Sequence, residues 1–256
     1  MTKLFFILTT VFLVSVQPLF SAELTILTEN LPPLNYLKEN VLVGPSVEIV
    51  KEIQRKIGSH EQIKVYPWAR AYKMALEEEN VVLFSMTYTE DRYDKFKWIG
   101  PLAKKRDILV AKKGSGMKIG SLEDAKKVGR IGTLRDDNRE ILLKSYGFTN
   151  LDPVSDEQQN AQKLVLGRID LWAYKKPGLK TVCELAEVDP NEVEEVYNLR
   201  EVDLMIAFSK KTSDATVKMW ENAFNEMVAD GTIMQIRRKW NAKLEDHPFP
   251  EIREKP

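Results

Sequence analysis

From residue 23 onward the chain alternates short apolar runs with amphipathic stretches, and this alternation restricts the fold more than any other feature. Leu24–Thr28, Ile63–Tyr66, Val81–Ser85, Asp107–Ala111, Val128–Ile131, Ile169–Ala173, Val193–Tyr197 and Leu204–Phe208 read as strands. Most are continuous apolar runs, which parallel strands buried on both faces require. Helical patterns lie between them. Ser46 is placed to cap a helix whose apolar positions are Val50, Ile53 and Ile57, with Glu48 in its first turn. Asp136–Tyr146 and Asp156–Leu166 are further helices, closed by Gly147 and Gly167. Val217, Trp220, Phe224 and Met227 recur at helical spacing up to Gly231, and Ile233, Ile236 and Trp240 carry a second C-terminal helix. Strand and helix in turn mean an α/β protein with parallel-rich sheets covered on both faces, and the tryptophans of these helices read as core.

The first 22 residues follow other rules. Lys3 precedes a short apolar run, Leu4–Val16, then come Pro18 and the Phe20-Ser21-Ala22 segment before Glu23. Charged end, apolar stretch and small residues at a cut form the order of a secretory signal. The run is shorter than the roughly 20 residues of a membrane span. The expected product is exported to the periplasm.

Composition removes several classes. Lys and Arg total 38 against 38 Asp and Glu, so no basic excess is available for phosphate backbones and no nucleic-acid partner is expected. One cysteine, Cys183, has no partner for an internal disulfide, and with only two histidines a Cys/His zinc cage is not expected. The motifs GxSxG, HExxH, GxGxxG and the P-loop are missing, and no cofactor is expected. His60 lies in a polar loop and His247 in a tail with three prolines; both read as solvated.

Three segments could hold a ligand. Thr87-Tyr88-Thr89-Glu90-Asp91-Arg92 follows the strand Val81–Ser85, and ligands of α/β sheets bind beyond the C-terminal ends of strands. Thr87 offers a hydroxyl and Arg92 a planar fork matched to a carboxylate. The spacing equally fits a surface turn whose Arg92 pairs with Glu90 or Asp91. Gly132-Thr133 lies between the strand Val128–Ile131 and the helix from Asp136, where backbone amides favour an anion or merely make a turn. The stretch from Glu29 to Tyr36, with Pro32-Pro33, is a rigid loop after the first strand.

Taken in order, these segments resemble the extracellular solute-binding proteins of family 3, the periplasmic receptors of polar amino acid importers. The resemblance covers residues 23 to 244. It rests on Thr-Glu-Asn-Leu-Pro-Pro-Leu-Asn-Tyr at 28–36, Gly-Pro-Ser-Val-Glu-Ile-Val at 44–50, Pro67-Trp68-Ala69-Arg70 and Thr87 through Arg92. Trp98-Ile99-Gly100-Pro101, Gly132-Thr133, Gly167-Arg168-Ile169-Asp170 and Met227 through Trp240 continue it. It implies a two-lobed type II periplasmic binding protein, a Venus flytrap. Lobe 1 would comprise 23–110 and 205–256 and lobe 2 would comprise 111–204, with hinge strands at or beside Asp107–Ala111 and Leu204–Phe208.

The resemblance also implies site roles. Arg92 corresponds to the arginine that grips a ligand α-carboxylate, with Thr87 beside it and Thr133 opposing it from lobe 2. Arg130 aligns with a basic position, Glu29 with the acidic or polar residue near the ligand amine, and Trp68 with an aromatic wall. Arg70, in a Pro-Trp-x-Arg variant, is either a site residue or a lobe 1 salt bridge. Two departures stand out. Ser85 replaces a glycine, and Lys175 occupies the place where amino acid receptors commonly set an Asp against the ligand ammonium. A lysine there attracts an anion, unless it points to water. A ligand with a second acidic group, or one lacking an amine, fits the added cation better.

The function so implied is a monomeric, non-enzymatic receptor delivering a small carboxylate-bearing solute to an inner-membrane ABC permease. Two alternatives share the fold: a cyclohexadienyl dehydratase-like enzyme using Glu29 or Glu90, and a free-standing sensory module.

Overall fold

The computed structural model describes residues 23–241. The expected signal segment, 1–22, and the tail from His247 lie outside them. The chain runs β1 (Thr25–Thr28), a hairpin of β2 (Tyr36–Lys38) and β3 (Val41–Val43), α1 (Pro45–Ile57), β4 (Ile63–Val65), α2 (Trp68–Glu77), β5 (Val81–Thr87) and the single turn α3 (Glu90–Tyr93). The long strand β6 (Phe96–Lys112) leads to α4 (Leu122–Ala125), β7 (Ile131–Leu134), α5 (Asn138–Ser145), β8 (Leu151–Val154), α6 (Glu157–Val165), β9 (Leu171–Lys176) and α7 (Leu179–Leu185). A second long strand, β10 (Val193–Ser209), returns, and α8 (Asp214–Ala229) and α9 (Thr232–Asn241) follow.

Eight strands form one sheet in the order β4-β1-β5-β10-β6-β9-β7-β8. Its flanks are parallel: β1 with β4 and β5 at one end, β7 with β8 and β9 at the other. Its centre is antiparallel, because β6 and β10 pair along their length from Phe96↔Ser209 to Lys112↔Val193. The expected strands Val193–Tyr197 and Leu204–Phe208 are thus two ends of one strand. Arg200, Glu201 and Asp203 hid the link by interrupting its apolar pattern.

Side-chain alternation builds the cores in pairs. In the first lobe Ile26, Val82 and Phe84 pack under α1, α8 and α9, while Leu27, Val81 and Leu83 face α2. In the second lobe Ile108 and Val110 pack against α6 and α7, while Leu109 and Ala111 pack with Ile131 and Leu143. Ile108 to Ala111 therefore belong to the second core, so the crossover on β6 comes before residue 110. Leu134 of the second lobe joins Trp68, Ala71 and Met86 of the first, so the lobes touch through apolar contacts as well.

Local differences from the sequence reading have simple causes. Pro45, with its fixed φ, starts α1, so Ser46 lies buried inside the helix and does not cap it. Asp136 has a positive φ of 56° and Asp137 caps α5, accepting from the Arg139 amide at 2.9 Å. The strand expected at Val128–Ile131 instead occupies Ile131–Leu134, in register with β8 from Ile131↔Leu151 to Leu134↔Val154. Gly132 and Thr133 thus sit inside a strand, and the helix start follows at Asp137.

Candidate functional site

Arg92 is fully buried although it belongs to the exposed-looking segment after β5. It pairs with neither Glu90 nor Asp91. One Nη donates to the Thr87 carbonyl at 3.4 Å, and the guanidinium lies 5.0 Å from the Trp68 ring centre and 4.9 Å from that of Tyr72. Its Nε and other Nη have no hydrogen-bond partner among the described residues. A buried charge is ordinarily paired, so these donors are hydrogen-bonding capacity that nothing among the described residues meets.

The neighbours of Arg92 reach the second lobe. Thr87 donates from its hydroxyl to the Asn138 side-chain oxygen at 3.1 Å, and Trp68 donates from its indole to the Asp136 carbonyl at 2.8 Å. Asn138 continues into a buried network. Asp107 on β6 accepts from Lys105 at 2.8 Å, from Asn138 at 3.0 Å and from Arg200 on β10 at 3.0 Å. Arg139 pairs with Asp137 at 2.5 Å and with Glu157 at 2.8 Å. Glu157 also accepts from Trp172 at 2.8 Å and Asn160 at 3.1 Å, and Asn160 donates to the Thr133 carbonyl at 3.1 Å.

Glu29 and Lys175 are buried beside this network. Burial, and then the charge of Asp137, pushes the Glu29 carboxyl up to about 8. Burial, and then the charge of Arg139, pulls the Lys175 ammonium down to about 7. Against the cost of burial, Arg139 and Lys105 hold Asp137 well below the usual carboxylate range. Lys175 donates across the lobes to the Pro32 carbonyl at 2.8 Å and to the Tyr174 phenol at 3.0 Å. It faces the interior, not water.

Ser85 and Thr133 complete the inner set. Both are buried, and neither hydroxyl has a partner among the described residues. Ser85 has φ 62°, a left-handed conformation that glycine adopts most readily, at the register shift where Met86 faces Met205 and Phe84 faces Ile206.

Two expected residues lie elsewhere. Arg70 is exposed, stacks over Tyr66 at 4.0 Å and borders a surface groove of about 800 Å³ shared with Tyr72, Asp91 and Asp136. Arg130 is exposed before β7, at the end of that strand away from Asp137, where its backbone amide donates to Asp170 at 2.7 Å. The alignment-based role for Arg130 therefore has no support in its placement, and Asp170 serves as a strand anchor. Sequence reading missed Lys105, Asp107, Asp137, Asn138, Arg139, Glu157 and Arg200. The available signal was the Lys105/Asp107 pair at i, i+2, at alternate positions between Ala103 and the apolar Leu109 and Ala111.

Two lobes crossed by two long strands, with a charged network buried at their junction, define a type II periplasmic binding protein. The sequence matches the model for bacterial extracellular solute-binding proteins, family 3, over residues 24–243, and the chain belongs to that family. It is a solute-binding protein. It is 24% identical over 199 residues to the L-cystine-binding protein TcyA of Bacillus subtilis, covering 78% of this chain and 72% of TcyA. It is 22% identical over 213 residues to the L-cystine-binding protein TcyJ of Escherichia coli K12, covering 82% and 78% of the two chains. An ancestral arginine-binding protein bound to arginine superposes with a TM-score of 0.75 at 23% identity, covering 86% of this chain and 99% of that one.

Proposed function

We propose that this protein, exported by its first 22 residues, captures a small carboxylate-bearing solute between its lobes and presents it to an ABC importer. Lobe 1 is drawn from both ends of the chain and lobe 2 from its middle. The observation that carries the reading is Arg92: fully buried, flanked by Trp68 and Tyr72, with two donors unpartnered and no carboxylate in contact among the described residues. A ligand carboxylate supplies the missing charge through a bidentate pair. Thr87, next to Arg92, and Thr133 on β7 carry hydroxyls on the two sides of the junction. Ligand that bridges the lobes stabilises the closed arrangement alone, which gives a membrane partner a state to read.

A thermal-shift screen tests this. Carboxylates, uncharged sugars and simple amines are compared at equal concentration; a true ligand at 100 times its Kd adds about 2.7 kcal/mol of stability. The reading expects hits among carboxylates only. Hits confined to sugars or amines overturn it.

A second reading has one observation in its favour. A carboxyl titrating near 8, as Glu29 does, holds its proton at neutral pH and is equipped for general-acid chemistry. A cyclohexadienyl dehydratase-like activity is tested by incubation with prephenate or arogenate; unchanged substrate leaves the receptor.

A further inference from the structure

We propose that the solute is an organic acid carrying no ammonium group. The inference rests on the carboxylate-receptor reading and narrows its substrate class.

Each ionised carboxylate of the buried network already has its cations in contact. Asp107 is held by Lys105 and Arg200, and Asp137 and Glu157 share Arg139. At each of the three a ligand ammonium competes with a cation already paired there. Glu29 has no such contact, but burial and the adjacent Asp137 keep it protonated and neutral at pH 7. Lys175, buried nearby, adds positive charge and donors when protonated.

The unpartnered buried groups point the same way. Arg92 Nε and one Nη, and Arg139 Nη1, are N–H groups that can only donate. The Ser85 and Thr133 hydroxyls serve as donor or acceptor. The buried acceptors left over are two carboxylate oxygens already in ion pairs, Glu157 Oε1 with Arg139 at 2.8 Å and Asp203 Oδ1 with Lys104 at 3.1 Å, and the amide oxygens of Asn35, Asn150 and Asn160. That of Asn160 is pressed against Gly132, where even a Cβ would approach it to 2.4 Å, and that of Asn35 belongs to an amide fastened to Thr28 and Glu29. With Glu29 neutral, Arg92, Lys105, Arg139 and Arg200 outnumber Asp107, Asp137 and Glu157, and protonated Lys175 widens the excess. A ligand that brings net negative charge balances the site. A zwitterion brings an ammonium that finds no counterion, and a buried charge left unpaired is rejected strongly.

Calorimetric titration of the wild-type protein at pH 7 with matched pairs tests this: succinate against L-aspartate, glutarate against L-glutamate, 3-phenylpropionate against L-phenylalanine. The expected result is that, in each pair that binds, the acid without the amine binds about 100-fold more tightly. If the amino acid binds as well or better, the inference falls while the carboxylate-receptor reading stands, because both members carry a carboxylate. If uncharged or cationic solutes bind and no member of any pair does, both fall.

Discussion

The Arg92 guanidinium sits 5.0 Å from the centre of the Trp68 ring, and the same indole donates to the Asp136 carbonyl of the opposite lobe at 2.8 Å. One aromatic side chain therefore links the buried cation of the first lobe to the rim of the second. Cation–π contact offsets part of the cost of burying Arg92, but it supplies no counterion.

Replacing Arg92 by Met keeps much of the stem volume and removes an unpaired buried charge. The ligand-free Arg92→Met protein is expected to unfold at a urea midpoint equal to or above that of wild type. A loss exceeding about 2 kcal/mol would show that Arg92 is a structural pillar.

Asp107 behaves oppositely, since it neutralises Lys105 and Arg200 at once. Asp107→Asn leaves Lys105, buried on the same strand, without its carboxylate. The expected cost is about 3–5 kcal/mol in chemical denaturation. A change below about 1 kcal/mol contradicts the network as drawn.

Stability should pass through a minimum between the titrations of Glu29 and Lys175. Glu29 holds its proton in the fold up to about pH 8, whereas unfolded it releases it near 4.5, so stability falls as pH rises through that window. Lys175 has lost its proton in the fold above about pH 7, while the unfolded chain keeps it to 10.5, so stability climbs across that higher window. Asp107 and Asp137, whose pKa values are lowered, act at more acidic pH. Urea melts of ligand-free protein should thus show a trough near pH 7 to 8. Glu29→Gln should flatten the falling limb and Lys175→Met the rising one. A maximum at that pH would refute the assignment.

Thr133→Val removes a hydroxyl that has no partner among the described residues. Stability should hold or rise slightly, while affinity for the solute drops by about 1 kcal/mol, roughly fivefold, the value of one ordinary hydrogen bond. Unchanged affinity on calorimetric titration places Thr133 outside the ligand's reach.

Gly178 tests closure. Its φ is +126°, and a Cβ there would meet the Pro32 carbonyl of the other lobe at 2.3 Å. Opening the lobes relieves the clash, so Gly178→Ala should weaken binding at least about tenfold and enlarge the radius of gyration in the presence of ligand. Wild-type affinity and scattering in this variant would disprove a tight approach at this point.

The sequence carried the lobed α/β pattern because buried strands and helix faces repeat at fixed periods. It pointed to Arg92 and Thr87 as candidates because Thr87 closes an apolar strand and Arg92 follows it, although the same spacing fitted a surface turn. It concealed the Asp107–Asn138–Arg139–Glu157 network, since those residues come from separate elements and each reads as ordinary surface charge. Arg70 was separable in principle: Trp68, Ala71 and Ala75 define the buried face of α2, and Arg70 falls off it. The misplacement of β7 had the largest effect. Starting the strand at Val128 moved Thr133 into a loop, and the resemblance gave Arg130 a site role its exposed position does not support.

The most direct measurement is a calorimetric titration of wild type and Arg92→Met with the tightest carboxylate found by thermal shift. The account predicts a loss of at least about 2 kcal/mol, some thirtyfold in Kd, in a variant that remains folded. Equal affinity in the two proteins contradicts it.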